Sequence, residues 1–196
     1  QEHEITMEVA KPGTSLGIIV TDFDEDGNNE VFVGNDVRPN HLLDQRGNDE
    51  FYNLAEVKGV ANGYEGVPNG CMGITAADYN RDGLLDLHIT NFHTESGNLF
   101  IQNSSGLCTD FAIRYGISDP TMPLVGFGTK SIDFDRNGWL DLIITNGNIF
   151  DTRIYSSDNL YKMPPQLLMC SGSRFDSVEV DDDTDFWNQS YLGRAM

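Results

Sequence analysis

The sequence predicts an all-β repeat protein, because one 19-residue stretch occurs in three similar copies. The copies begin at Gly17, Gly73 and Gly128, so the periods are 56 and 55 residues. They read GIIVTDFDEDGNNEVFVGN, GITAADYNRDGLLDLHITN and GTKSIDFDRNGWLDLIITN. In each copy an acidic stretch with a central glycine separates two short runs of β-branched and apolar residues, a pattern typical of two strands joined by a turn. A fixed period of this length indicates a repeat architecture.

The spacers between the copies predict two further strands in each repeat. They read NHLLDQRGNDEFYNLAEVKGV, GNLFIQNSSGLCTDFAIRYGI and PQLLMCSGSRFDSVEV. Each begins with an apolar run, continues through a polar turn that contains glycine, and ends in a second run that carries Phe51, Phe111 or Phe175. Each repeat is therefore expected to consist mainly of short strands separated by turn residues.

The acidic stretch of each copy has the oxygen spacing of a calcium loop. Counted from its first Asp, carboxylate or amide side chains occupy positions 1, 3, 5 and 9, and Ca²⁺ takes about six to eight oxygen ligands. Position 6 is glycine, as expected where a loop turns sharply with positive φ. Position 7 varies so widely that only its backbone carbonyl is expected to contribute. The predicted metal-binding residues are Asp22, Asp24, Asp26, Asn28 and Glu30 in loop 1 (residues 22–30), Asp78, Asn80, Asp82, Leu84 and Asp86 in loop 2 (78–86), and Asp133, Asp135, Asn137, Trp139 and Asp141 in loop 3 (133–141).

These loops differ from an EF-hand, which needs a bidentate Glu at position 12 and a helix on each side. Position 12 is Val33, Ile89 or Ile144, and the flanks are short and β-branched, so strand–loop–strand is expected. Clustered carboxylates repel one another without a cation, which favours a bound metal. The alternative is a set of acidic turns that join strands without metal.

Together the copies resemble the FG-GAP or VCBS-type repeat of β-propellers, whose Asp-x-Asp-x-Asp-Gly-x-x-Asp loops hold calcium. The spacer NLFIQNSSGLCTDFAIRYGI is similar to the corresponding section of the cartilage-acidic-protein and UnbV-like group. The resemblance implies a single β-propeller region over residues 1–196, with about three repeats of four-stranded sheets and about three structural Ca²⁺ ions. Glu30, Asn80 and Asn137 depart from the family's Asp positions, and these departures imply weaker or retuned calcium binding rather than its loss.

A fourth repeat is predicted to be truncated, at about residues 165–196. Gly193 in SYLGRAM matches the glycine that precedes each first Asp by five residues, so a fourth loop would begin at position 198. The chain is therefore expected to be a fragment of a longer array, with a short natural chain as the alternative. An incomplete propeller exposes a strand edge and an apolar sheet face, which favours self-association.

The composition argues against two classes of partner and leaves the redox state open. Acidic residues outnumber basic ones 31 to 12, for a formal charge of −19, so binding to nucleic acid or to an anionic membrane is disfavoured. No apolar run approaches the ~18 residues of a membrane span, so no membrane insertion is expected. Cys71, Cys108 and Cys170 lack the spacing of a zinc site. They are compatible with one disulfide and a free thiol, or with three reduced thiols.

No catalytic site is predicted. The four histidines, His3, His41, His88 and His93, are scattered without a partnered nucleophile, and the sequence contains no G-x-S-x-G, HExxH or phosphate-binding loop.

The predicted function is that of a non-catalytic calcium-binding module for adhesion or protein–protein interaction. Because weak calcium sites suit the millimolar calcium outside cells, its expected location is extracellular, at the cell surface or in the periplasm. The first alternative is a carbohydrate-binding module that uses aromatic residues such as Trp139, Trp187 or Tyr191. A less favoured alternative is one part of a larger enzyme.

Overall fold

The described part of the chain is all-β and forms three four-stranded antiparallel units with two one-turn helices. The structure, a computed structural model, describes residues 6–8, 13–47, 50–151, 161–180 and 186–194. The prediction of about three four-stranded units is confirmed, and the described sheets form an open array rather than a closed ring.

The first sheet has the order β1-β5-β4-β3-β2. Strand β1 (Thr6–Glu8) pairs in parallel with β5, and the other neighbours pair antiparallel. The antiparallel strands are β2 (Ser15–Thr21), β3 (Glu30–Asn35), β4 (His41–Arg46) and β5 (Glu50–Asn53). Helix α1 (Ala55–Lys58) follows this sheet.

The second and third sheets repeat the same antiparallel order without an additional strand. The second sheet contains β6 (Ile74–Ala77), β7 (Asp86–Ile89), β8 (Asn98–Gln102) and β9 (Cys108–Asp110). Helix α2 (Ser118–Thr121) leads to the third sheet. That sheet contains β10 (Gly126–Ile132), β11 (Asp141–Asn146), β12 (Gln166–Cys170) and β13 (Phe175–Val178).

Each acidic loop joins the first two strands of one sheet, so the predicted strand–loop–strand arrangement is confirmed. The spacer after each loop supplies the last two strands of that same sheet. Consequently β12 and β13, which lie at the start of the predicted fourth repeat, complete the third sheet. Residues 181–185 and 195–196 of that predicted repeat lie outside the described residues.

Consecutive sheets pack face to face, because alternate residues along each strand form two apolar faces. Between the first and second sheets, Phe32 and Leu42 share a core cluster with Leu87 and Phe100. Between the second and third sheets, a similar cluster contains Leu99, Ile101, Leu142, Ile144 and Leu168. This face-to-face stacking of four-stranded sheets is the arrangement of propeller blades.

The first strands of the sheets lie side by side, and this close approach requires glycine. A Cβ atom on Gly17 would overlap the carbonyl oxygen of Met72, and one on Gly73 would overlap the carbonyl oxygen of Phe127. The glycine that precedes each loop by five residues is therefore needed, at these two positions, for contact with the next sheet.

The asparagine that closes the second strand of each sheet connects that sheet to the chain segment that follows it. The side-chain amides of Asn35, Asn91 and Asn146 donate to carbonyl oxygens in the following turn, those of Pro39, Ser96 and Pro164. The backbone carbonyl oxygens of the same asparagines accept hydrogen bonds from backbone N–H groups later in the chain, those of Cys71, Gly126 and Gly193. Each of these residues therefore satisfies buried polar groups of the turn and of the neighbouring chain segment.

Both ends of the stack have open apolar faces. On β2, Leu16, Ile18 and Val20 are 59%, 67% and 57% exposed and project from the face opposite the second sheet. At the other end, Ile132 of the third sheet and Phe134 of loop 3 are also partly exposed. Phe134 contacts Trp187, whose ring lies against that of Phe186.

The three cysteines are buried and unpaired, which corresponds to the second of the two predicted redox states. Burial raises the pKa of the Cys71 and Cys108 thiols to about 12. Among the described residues, no helix is long and apolar enough to cross a membrane.

Candidate metal-binding loops

The three loops share one backbone conformation that needs two left-handed residues. Position 6 has positive φ in each loop, with values of 92° at Gly27, 90° at Gly83 and 89° at Gly138. Position 4 is also left-handed, at Glu25, Arg81 and Arg136, with φ between 61° and 63°. The sequence predicts the first feature through glycine. It contains no signal for the second, because Glu and Arg have no preference for this conformation.

The side chains at positions 1 and 9 hold this conformation through the same hydrogen bonds in every loop. The first Asp accepts the N–H of the position 6 glycine, at 3.1 Å in loop 1, 2.9 Å in loop 2 and 3.1 Å in loop 3. The position 9 carboxylate accepts the N–H of the position 2 aromatic residue, at 2.7, 2.9 and 2.8 Å. Carboxylates at these positions therefore organise the loop, in addition to being candidate oxygen ligands.

In loops 1 and 3 the carboxylates at positions 1, 3 and 9 converge. Each residue of these two groups offers an oxygen within 4.8 Å of the others. The groups consist of Asp22, Asp24 and Glu30 in loop 1, and of Asp133, Asp135 and Asp141 in loop 3. Six of the predicted ligands are thus brought together as two triads.

Position 5 makes a local turn instead of joining these triads. Asp26 accepts hydrogen bonds from the backbone and side chain of Asn28, at 2.8 and 3.0 Å. Asn137 accepts the N–H of Trp139 at 2.7 Å, in the same way. At position 7 the backbone N–H is therefore a donor to position 5 in both loops, whereas its carbonyl was the group expected to bind metal.

Loop 2 differs because its position 3 is an amide rather than a carboxylate. The side chain of Asn80 accepts the Asp82 N–H at 2.9 Å and donates to the Asp82 carboxylate at 2.9 Å. Asp82 in turn accepts the N–H of Leu84 at 2.9 Å. Among the described residues, Asp78, Asp82 and Asp86 do not form a triad of the kind found in loops 1 and 3.

The carboxylate at position 9 is the most buried acid of each loop. Glu30 is 2% exposed, and Asp86 and Asp141 are fully buried. Burial raises the pKa of Asp86 from 3.8 to about 6, with nearby Asp82 and Asp78 adding to the effect, although the N–H groups of Gln102 and Tyr79 oppose it. Burial also raises the pKa of Glu30. A cation next to these groups would favour their charged form.

Three buried oxygen atoms of the triads have no hydrogen-bond donor among the described residues. They are Oδ1 of Asp22, Oε1 of Glu30 and Oδ1 of Asp133. An ionised oxygen buried without a partner costs free energy, which a coordinated cation would offset. The donor set consists of oxygens without His or Cys, so it fits a hard cation.

Contacts between neighbouring sheets hold the loops, and the sequence did not reveal them. The side-chain amide of Gln102 donates to the carbonyl oxygens of Phe23 in loop 1 and Leu85 in loop 2, at 3.0 and 2.9 Å. The Arg81 guanidinium lies 4.8 Å from the centre of the Trp139 ring, which joins loop 2 to loop 3. These partners are distant in sequence, so no local pattern indicates them.

The aromatic residue at position 2 packs into the next sheet where one follows. Phe23 and Tyr79 are both 1% exposed, and Phe134, in the last loop, is 46% exposed. The hydroxyl of Tyr79 is hydrogen-bonded to Ser131 of the third sheet, and its ring contacts Phe175 edge-on at 6.0 Å. Loop geometry and sheet stacking are therefore coupled through one side chain.

His88 is a core residue of the interface between the second and third sheets. It is fully buried, and its Nδ1 atom is hydrogen-bonded to Oγ1 of Thr129 at 3.0 Å. Burial lowers its pKa to about 3, so the ring is neutral at physiological pH.

Stacked four-stranded sheets, each with one acidic loop between its first two strands, define a β-propeller-like repeat module. The FG-GAP-like repeat family matches residues 22–89 of this chain. The match runs from the first Asp of loop 1 to three residues beyond the last Asp of loop 2, so it includes one complete sequence period. A search of curated proteins finds no match to the chain.

Proposed function

We propose that this chain is a non-catalytic, calcium-binding extracellular β-propeller module for adhesion or protein–protein interaction. The observation that carries the calcium proposal is the presence of buried, donor-free carboxylate oxygens in two converged acid triads. These atoms lack the partner that a bound cation would provide.

The proposed role of calcium is structural. The residues that would hold it are the triads of loops 1 and 3 and, in loop 2, Asp78, Asn80 and Asp86, with the predicted position 5 side chains and position 7 carbonyls as further candidates. When bound, the ion would neutralise the clustered carboxylates. Because the loop lies between two strands of one sheet, binding free energy would add to folding stability. Three ions, each contributing two positive charges, would change the formal charge from −19 to −13.

The type and number of oxygen donors favour calcium over magnesium. The loops offer several carboxylate, amide and backbone oxygens, and Ca²⁺ accepts six to eight such ligands in variable geometry, whereas Mg²⁺ requires a near-ideal octahedron and retains water. The amides at positions 3 and 5, Asn80 and Asn137, support weaker sites. Such sites would be filled by the millimolar calcium outside cells, which supports an extracellular, cell-surface or periplasmic location.

Within the FG-GAP-like repeats, we place this chain nearest the cartilage-acidic-protein and UnbV-like group. The spacer NLFIQNSSGLCTDFAIRYGI, which forms β8, β9 and the turn after them, is the feature that supports this placement.

Self-association through the open sheet faces is part of the proposal. The exposed Leu16, Ile18 and Val20 form an apolar row on β2, the first strand of the first sheet. The first strands of the other two sheets, β6 and β10, each contact the first strand of the preceding sheet. Covering this row with another sheet would remove apolar surface from water.

Two alternatives have less support. The aromatic residues named for carbohydrate binding have other contacts: Trp139 lies under Arg81 and against Gly172, and Trp187 belongs to the aromatic cluster beside Phe134. An enzymatic role has no support from His88, whose ring is buried and neutral.

Metal counting on a triad variant tests the calcium proposal. In equilibrium dialysis against millimolar Ca²⁺, the wild-type protein should bind about three ions per chain, and Asp133→Asn should bind one fewer. Asp176→Asn is the matched control, because Asp176 is an exposed acid of β13 that pairs with Arg174. The proposal would be contradicted if the wild-type protein bound no calcium, or if Asp133→Asn and Asp176→Asn bound the same number of ions.

The interaction role needs a separate binding assay. The calcium-loaded module is passed over a panel of immobilised extracellular proteins. It should bind at least one of them and be released from it by EDTA. Binding that is unaffected by EDTA, or binding to none of them, would argue against a calcium-dependent adhesive role.

A further inference from the structure

A cavity of about 240 Å³ lies at the end of the second sheet opposite loop 2. Strand β7 begins at the last residue of loop 2, and the turn that follows β7 forms one wall of the cavity. The segment before β6 and the segment after β9 form the other walls, at residues 64–69 and 112–122. The cavity is therefore separate from the candidate metal-binding loops.

The rim of the cavity is apolar and exposed. Tyr64, Val67, Ile113 and Met122 line it, and they are 69%, 50%, 59% and 44% exposed. These residues come from segments far apart in sequence, so the fold gathers large exposed apolar side chains around one opening. Such a grouping is typical of a binding site rather than of scattered surface residues.

The walls also carry polar groups that the protein itself does not use. The side-chain hydroxyls of Tyr64, Thr94 and Ser118 make no hydrogen bond to the described residues, and Ser118 is only 8% exposed. Glu95 uses one carboxylate oxygen to accept the Gly70 N–H at 2.6 Å, which leaves its other oxygen available. About half of the residues that line the cavity are polar and the rest are apolar, a mixture that suits a ligand with both polar groups and an apolar face.

Hydrogen bonds within the protein hold two residues of the cavity wall, Asn98 and Thr94. Asn98 is 3% exposed, donates to Asp110 at 2.7 Å and accepts from Asn91 at 2.7 Å. Thr94 has a left-handed backbone with φ of 70°, and its N–H donates to the Met122 carbonyl at 3.0 Å. A strained non-glycine residue held by a hydrogen bond in a cavity wall is a recurrent feature of functional sites.

We propose that this cavity binds a saccharide. The C–H face of a sugar ring would cover the apolar rim, Tyr64 above all, and the sugar hydroxyl groups would bond to Glu95, Ser118 and Thr94. No Lys or Arg is among the described residues that line the cavity, so an anionic ligand would lack a counter-charge. The proposal moves the carbohydrate-binding alternative to a different site, and it does not depend on calcium in the loops or on adhesion.

The test begins with the wild-type chain on an array of neutral and acidic glycans in millimolar Ca²⁺. The best-bound saccharide is then titrated by calorimetry. Tyr64→Ala should weaken its binding at least about tenfold, and Ser118→Ala about three- to tenfold, because each change removes a contact with the ligand. Leu107→Ala is the matched control, since Leu107 is an exposed apolar residue in the turn between β8 and β9, and it should bind like the wild type.

Thermal unfolding in calcium establishes that each variant is folded before its affinity is compared. An array without any bound glycan would overturn the proposal. So would equal affinity in Tyr64→Ala, Ser118→Ala and the wild type. Binding that EDTA abolishes and these two changes leave intact would assign the saccharide to the loops and would also overturn it.

Discussion

The carboxyl group of Asp86 should make the calcium-free protein less stable as the pH rises from about 4 to about 6. Its pKa in the folded protein is about 6, against 3.8 for an ordinary Asp, because the group is buried beside two other acids. A raised pKa means that the folded state binds the proton more tightly than the unfolded state. The resulting stability is complete below pH 3.8 and is lost as the pH rises through 6.

The expected effect is large for one side chain. A shift of about two pKa units corresponds to about 3 kcal/mol of unfolding free energy, since one unit is worth about 1.4 kcal/mol. Calcium should oppose this effect, because a bound cation favours ionised Asp86. In saturating calcium, the contribution of Asp86 should therefore increase with pH instead of decreasing.

Urea denaturation of the wild type and Asp86→Asn, in EDTA between pH 4 and 7.5, measures this contribution. The variant is expected to be less stable overall. Asp86 accepts hydrogen bonds from the N–H groups of Tyr79 and Gln102, and asparagine has only one oxygen to accept them. The informative quantity is the difference in pH dependence between the two proteins, which removes the contributions of other acids. Parallel pH profiles in EDTA would refute the reasoning.

Four further predictions concern backbone strain, a buried hydrogen bond, the open sheet face and the buried thiols. Gly83→Ala should lower the free energy of unfolding by about 1–2 kcal/mol through backbone strain alone, because φ is 90° and a Cβ atom there would meet nothing. Urea denaturation measures this change, and an unchanged midpoint would contradict the prediction. Tyr79→Phe should lower the free energy of unfolding by about 1 kcal/mol, because it removes the hydrogen bond to Ser131. Urea denaturation measures this change as well, and an unchanged free energy would show that the bond contributes nothing. Wild-type protein should self-associate in sedimentation velocity at rising concentration and Ile18→Lys should not, whereas a wild-type monomer at every concentration would exclude this use of the open face. The cysteines should react with a thiol reagent only after unfolding, because all three are buried, and rapid labelling of the native chain would contradict their placement.

The repeat pattern allowed the secondary structure of the units to be predicted correctly. The two strands around each loop occur where the β-branched and apolar runs predict them, and so do the spacer strands, except that β9 ends at Asp110, one residue before the predicted Phe111. This succeeds because an alternating sheet strand and a glycine turn are local features, and three copies of the same pattern reinforce one another.

The candidate site could be predicted only in part. The sequence identified the acids at positions 1, 3 and 9, and the structure gathers them into triads in loops 1 and 3. The local turn made by Asp26 and the left-handed residue at position 4 were not foreseen, because each depends on the exact path of the backbone within the loop.

The sequence by itself determined that the protein is built from three equivalent strand–loop–strand units with oxygen-rich loops. Only the tertiary structure decided which equivalent residues have different surroundings. Phe23, Tyr79 and Phe134 occupy the same position in their loops, yet the first two are buried and the third is partly exposed. The reason is physical: periodic sequence specifies local geometry, whereas burial depends on whether another sheet lies against the face, and that neighbour comes from a distant part of the chain.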